Sequence, residues 1–163
     1  EETLTEAAKE LRSASAVEVQ THALDLTAED LGLRLDEITS DLEIGLLIYN
    51  AGAAHGAELF HDASLADALH LVNLNCRGPV VLTHAIGGKM RDRGRGGIIL
   101  MSSMSGLSGG AYIAAYTASK HALLGWSRAA AHDLARRGVS VNTVCPHFVD
   151  SPMTVTWWTN RLP

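Results

Sequence analysis

Short apolar runs alternate with amphipathic stretches along the chain, and the two periods mark out its elements. Leu4, Ala7, Ala8 and Leu11 recur at helical spacing and predict that Glu1 to Arg12 is the end of an amphipathic helix. Val17 to Ala23 alternates with the period of a strand, closed by Asp25-Leu26-Thr27. Thr27 suits a helix N-cap, with Glu29 and Asp30 in the first turn of a helix that reaches about Ser40. Ile44 to Tyr49 is a continuous apolar run, as expected of a strand covered on both faces. It ends at Asn50-Ala51-Gly52, followed by a small-residue loop to about His61. Ser64 predicts the cap of a helix running through Leu65, Leu69 and Val72 to Asn75. Pro79 opens or kinks the next helical segment, which continues to about Arg93. Gly97 to Ser102 reads as a strand. Ala114 to Arg137 reads as a long helix ended by Gly138, and Val139 to Val144 as a last strand stopped by Pro146.

Alternating helices and short Ile/Leu/Val-rich strands argue for an α/β fold, a parallel sheet with helices on both faces. Ligands of such sheets sit beyond the C-terminal strand ends. Small or polar residues collect at four of those ends: Asp25, then Asn50 to Gly52, then Ser102 and Ser103, then His147 to Ser151.

Composition narrows the partners. The chain has 163 residues, 47% of them apolar, which is enough for the core of one domain. With 18 acidic against 13 basic side chains the formal net charge is −5, and no basic face marks a nucleic-acid partner. The local cluster Arg91, Arg93 and Arg95 reads as a solvated helix end. No run approaches the roughly 18 apolar residues of a membrane span. No secretory leader pattern opens the chain, and Cys76 and Cys145 lie in no metal or redox spacing, so free thiols and a cytoplasmic protein are expected. The eight histidines fall in no ligand spacing, and no metal is expected.

Candidate chemistry concentrates between Gly97 and Lys120. A strand end delivers hydroxyls at Ser102 and Ser103, and a Gly- and Ser-rich loop leads into the long helix. There Tyr116 and Lys120, four residues apart, share one face. A free phenol titrates at about 10, too high for efficient proton exchange near neutrality. A nearby ammonium favours the phenolate and lowers that value.

With these features in place, the chain closely resembles the short-chain dehydrogenase/reductase family, Rossmann-type enzymes that move hydride between NAD(P) and a carbonyl or alcohol. Tyr116-Thr117-Ala118-Ser119-Lys120 matches the family's YxxxK, and Ser103 stands thirteen residues before the tyrosine, where the family places its catalytic serine. Asn50-Ala51-Gly52 resembles the NAG turn, and Asn75-Cys76-Arg77-Gly78 the helix asparagine of the form NxxG. Asp25-Leu26 is similar to the pair that contacts adenine, and Pro146 to Met153 to the PGxVxTxM segment at the nicotinamide end. The resemblance implies a doubly wound, three-layer α/β/α sheet and NAD or NADP as cofactor. It implies catalytic roles for Asn75, Ser103, Tyr116 and Lys120. Cofactor contacts are expected from Asp25, Leu26, Asn50, Ala51, Gly52, Tyr116, Lys120, Pro146, Val149 and Ser151.

In these roles Tyr116 exchanges a proton with a ketone or secondary-alcohol oxygen and Ser103 hydrogen-bonds that oxygen. Lys120 holds the nicotinamide ribose, and Asn75 holds a water that passes protons on. Ser102, pointing to the opposite side of its strand, reads as a structural partner. Alternatives stand beside these roles. Asn75 could satisfy backbone groups in a helix irregularity, Asp25 could be a turn residue, and Tyr112 a loop or pocket-wall residue. Trp157 and Trp158 could mark a substrate lid, an oligomer contact or an ordinary packed segment.

The sequence departs from the family pattern at both ends and within the Pro146 to Met153 segment. The TGxxxGxG turn, with its strand and the next, is not in the chain, and neither is the covering C-terminal segment. A partial domain is therefore expected, its parent protein containing the rest. His147 stands where the family has Gly, and Ser151 where it has Thr. Apolar and small residues nearly encircle the helix Ala114 to Arg137 and enrich Pro79 to Arg93, which predicts a homodimer or homotetramer. The competing reading is a non-catalytic binding or scaffold protein that lacks the phosphate loop.

Overall fold

Three apolar runs, Leu46–Tyr49 (β1), Gly96–Met101 (β2) and Val139–Val144 (β3), form one parallel sheet in the order β1-β2-β3. The computed structural model describes residues 2–54 and 58–151. The expectations for Met153, Trp157 and Trp158 lie outside them. Parallel neighbours need a crossover rather than a tight turn, and helices supply it. Between β1 and β2, Leu65–Val72 (α3) runs through a π turn, Asn73–Arg77, into Gly78–Arg93 (α4). Ala114–Ala135 (α5) joins β2 to β3, while Glu2–Ala14 (α1) and Leu31–Ile38 (α2) precede the sheet. The architecture is the expected one, a Rossmann-like parallel sheet with flanking helices.

Register sets Leu47 beside Ile98 and Tyr49 beside Leu100, and Ile98 in turn beside Val141. Leu47, Tyr49, Ile98, Leu100 and Val139 form one cluster with Ile86 and Met90 of α4 and Leu123 of α5. Each such side chain taken fully out of water stabilises the fold by about 1.5–3 kcal/mol. On the opposite sheet face Leu46 and Ile48 remain 53% and 56% exposed. The run at Ile44 to Tyr49 was expected to be covered on both sides. Instead β1 alternates exposed and buried among the described residues.

Two further expectations give way. Val17 to Ala23 forms no strand: the segment is exposed except at half-buried Val19, whose carbonyl accepts from Arg12 Nη2. Alternation alone does not make a strand, because its backbone groups need a neighbouring strand to pair with. Thr27 does not cap α2. Its backbone N–H and hydroxyl both donate to Asp25 Oδ1, at 2.8 and 2.7 Å, and Asp30 occupies the cap position without a side-chain capping bond, its carboxylate accepting from Arg34 Nε instead.

Ser64 caps α3 as expected, its hydroxyl accepting from Asp67 N at 3.3 Å. Pro79 opens α4 as expected, sitting in its first turn, although α3, the π turn and α4 are contiguous. Gly94 ends α4 at φ 73°, a left-handed cap that glycine adopts without strain. Arg91 and Arg95 are exposed, as expected of a solvated helix end, but Arg93 is not. Half-buried Arg93 donates to the Ile44 carbonyl, and Arg95 pairs with Glu43 at 2.5 Å, fastening the end of α4 to the chain entering β1. No helix among the described residues is long and apolar enough to cross a membrane.

Candidate active site

The site is built where β2 ends. Ser102 and Ser103 point to opposite sides of the strand. Ser102 is buried, and its hydroxyl donates to the Lys120 carbonyl at 3.1 Å, locking β2 to α5. Backbone pairing continues beyond the strands, from Ser102 N to Val144 O at 2.8 Å and from Met104 N to Pro146 O at 2.9 Å. Ser103 lies between these two bonds and caps a short 3₁₀ turn, Met104–Gly106, through a 3.1 Å bond from Ser105 N. Gly106 closes this corner. A Cβ there would meet Ser102 Oγ at 2.6 Å and the Lys120 carbonyl oxygen at 2.8 Å.

From α5 come Tyr116, Ser119 and Lys120. The Lys120 ammonium stands 5.6 Å from the centre of the Tyr116 ring and donates to Met101 O at 3.0 Å. Only 5% of Lys120 is exposed, and that burial pulls its pKa below the ordinary lysine value; the Cys76 and Cys145 thiols push more weakly the other way. One lysine hydrogen is thus committed to the strand end, leaving two for other partners.

Asn75 joins three elements. It is 1% exposed within the π turn. Its Nδ2 donates to Ala53 O at 3.0 Å and to Ser119 Oγ at 3.1 Å, and Ala53 N donates back to Oδ1 at 3.0 Å. Ser119 in turn donates to the Tyr116 carbonyl at 2.7 Å. Both readings of Asn75 therefore describe part of what it does. It satisfies backbone beside a helix irregularity, and it reaches the tyrosine–lysine pair. A Cβ on Gly52 would lie 3.1 Å from Asn75 Oδ1 and 3.4 Å from Lys120 Nζ, so this glycine keeps the approach to both atoms open.

The remaining expected residues are placed less centrally. Asn50 and Ala51 are exposed after β1. Asp25 is exposed and its carboxylate is taken up by Thr27, whose bonds hold its pKa below the usual carboxylate value. Leu26 packs against the core cluster. Pro146 and Ser151 are half-buried and Val149 is exposed beyond β3. His147 stacks edge-on against Phe148 with ring centroids 4.8 Å apart. Tyr112 holds a left-handed φ of 68° in the loop before α5, an uncommon conformation for a bulky residue, and its carbonyl accepts from Glu58 N.

Sequence reasoning missed Ser119, Arg77 and Tyr49. Ser119 was legible in principle, since it lies three residues after Tyr116 on the same helix face. Arg77 bridges 48 and 49 positions to the Glu29 and Ala28 carbonyls, at 3.3 and 2.6 Å, and no local pattern announces such a contact.

The profile of the short chain dehydrogenase family matches residues 1–162. The chain belongs to this family. Over 118 residues this short-chain dehydrogenase is 34% identical to a 2-dehydro-3-deoxy-D-gluconate 5-dehydrogenase of Bacillus subtilis, covering 72% of this chain and 46% of that protein. Over 152 residues it is 33% identical to a very-long-chain 3-oxoacyl-CoA reductase of Podospora anserina, covering 90% of this chain and 44% of that protein. Among solved structures, an NAD⁺-bound xylitol dehydrogenase superposes with a TM-score of 0.85 at 28% identity, over 90% of this chain and 57% of that one. The chain thus spans less than half the length of the curated relatives it matches. The residues present fit the nicotinamide-ribose end of a dinucleotide. Lys120 has donors to spare, and the Cβ that would crowd its Nζ is absent at Gly52.

Proposed function

We propose that the protein is an NAD(P)-dependent oxidoreductase that moves hydride between the nicotinamide and a ketone or secondary alcohol. The observation that carries this reading is the buried Lys120 ammonium over the Tyr116 ring, beside Asn75 and the open backbone of Gly52. When bound, the dinucleotide supplies or accepts the hydride. In reduction Tyr116 gives its phenolic proton to the carbonyl oxygen, and in oxidation it takes that proton back. The Lys120 ammonium, 5.6 Å from the ring centre, sets a positive charge near the phenolate left behind. Ser103 hydrogen-bonds the reacting oxygen and stabilises charge that develops on it. Lys120 also donates to the ribose hydroxyls. Asn75 Oδ1 faces the same space and can hold a water that relays protons from the lysine.

Asn50, Ala51, Pro146, Val149 and Ser151 border the nicotinamide end in this reading, with Asp25 and Leu26 towards adenine. The substrate class is a small-molecule carbonyl or alcohol, in keeping with relatives named for a sugar-acid derivative and a 3-oxoacyl thioester. A soluble cytoplasmic enzyme with a single Rossmann domain accords with the composition and the two free thiols. Titrating the full-length protein with NADH and NADPH by fluorescence, then assaying a panel of ketones, tests the reading. Saturable binding with turnover is expected; absence of binding to either would favour a non-catalytic scaffold.

The exposed Ala122, Gly125 and Ala129 form a small-residue stripe on α5 that permits close helix approach, supporting a homodimer or homotetramer. Light scattering at micromolar concentration is expected to give a multiple of the protomer mass, and a monomer would contradict it.

A further inference from the structure

Successive residues of the π turn Asn73–Arg77 are tied to different elements. Leu74 O accepts from the Tyr49 hydroxyl of β1 at 3.2 Å. Asn75 holds Ala53 and Ser119. Cys76 Sγ donates to Ser119 O at 3.4 Å, and Arg77 donates to Ala28 O and Glu29 O before α2. A π turn seeks the N–H five residues ahead, and for Leu74 that position is Pro79, which has none. Without another donor the half-buried Leu74 carbonyl would be left unpaired. Tyr49 supplies the missing donor.

We propose that Tyr49 is a positioning residue of the acid–base site: its hydroxyl anchors the π turn at Leu74 and thereby holds the adjacent Asn75 amide beside Lys120. The inference rests on the oxidoreductase reading above. Core packing does not account for the hydroxyl, since a phenylalanine would fill the same space in the cluster. Tyr49 is 3% exposed, and burial, helped by the Cys76 thiol, pushes its pKa up to about 12. The phenol therefore keeps its proton, and remains a donor, at any ordinary working pH. Room for that proton is kept by Gly78, where a Cβ would overlap the Tyr49 hydroxyl.

Tyr49→Phe in the full-length protein tests this. Displacing a group at the reacting centre by a fraction of an ångström costs rate, so kcat is expected to fall about tenfold. The Kd for whichever of NADH and NADPH the parent binds should hold, the pH profile of kcat should shift, and the Asn75 side-chain amide should exchange faster by NMR. A lower Tm with kcat and pH profile superimposable on the parent would overturn the proposal. Gly78→Ala, which dislodges the phenol without altering it, should reproduce the loss of kcat; full activity there would count against the role. In an Asn75→Ala background Tyr49→Phe should lower kcat no further, and an additive loss would place the two residues on independent paths. Tyr116→Phe is run alongside. If it retains turnover, the oxidoreductase reading falls and takes this inference with it. If it is inactive while Tyr49→Phe matches the parent, only the positioning role is lost.

Discussion

Tyr116→Phe is expected to lower turnover by about 10²–10⁴-fold, the usual share of a general acid–base group, while whichever of NADH and NADPH the parent binds still binds. The substitution removes one oxygen and little else. The ring under the Lys120 ammonium remains, as does the Tyr116 carbonyl that accepts from Ser119, so α5 and the Asn75 clamp keep their geometry. Fluorescence titration separates binding from chemistry, and steady-state assays on the best ketone give the rate. Turnover equal to the parent's would remove Tyr116 from the proton path and with it the proposed reaction.

Lys120→Met should have an effect of similar size on turnover but a different signature. Methionine fills the slot without charge or donors, so nucleotide affinity should weaken together with the rate. Stability should hold or increase. Burial lowers the folded-state pKa of Lys120 below 10.5, so the unfolded chain binds this proton more tightly and the buried charge costs stability at neutral pH. That cost lessens as pH rises through the folded value towards 10.5. Against it stands the Met101 carbonyl, which loses its donor at about 1–3 kcal/mol, a loss offset by the about 1.5–3 kcal/mol that an apolar side chain buried in the same slot contributes. The variant is therefore expected to melt higher than the parent at pH 7, with the gap closing towards pH 10.5, followed by circular dichroism. A variant that melts lower at pH 7 would show that the ammonium is a net stabiliser, held by groups beyond Met101.

Much of this arrangement is readable from local patterns, and the parts that are not share a cause. Ser64, the three apolar runs and the Tyr116–Lys120 pair announce themselves because capping, strand burial and helical spacing act within a few residues. Ser102 and Ser103 separate for the same reason, by strand alternation. Val17 to Ala23 misleads because a strand depends on a partner elsewhere, and its alternation is equally compatible with an exposed connection. Thr27 resembles a cap, yet Asp25 two residues earlier captures both its donors. The clamp of Asn75, Ser119 and Ala53 spans 22 and 44 positions and becomes visible only when α3, α5 and the loop after β1 converge.

The π turn also alters how α3 and α4 face their surroundings. A π turn amounts to one residue inserted into an α-helix, and one residue is about 100° of rotation. The side chains of α3 are therefore out of phase with those of α4. Leu71 is buried while Leu65 and Leu69, in the same helix, stay 73% and 61% exposed. In α4 the buried row is Thr83, Ile86, Gly87 and Met90. A single stripe at the 3.6-residue period drawn along residues 65–93 does not fit both halves. The inserted residue lets α3 pack on α5 while α4 lies on the sheet, and deleting one residue from the turn would force the two halves to compete for a single orientation.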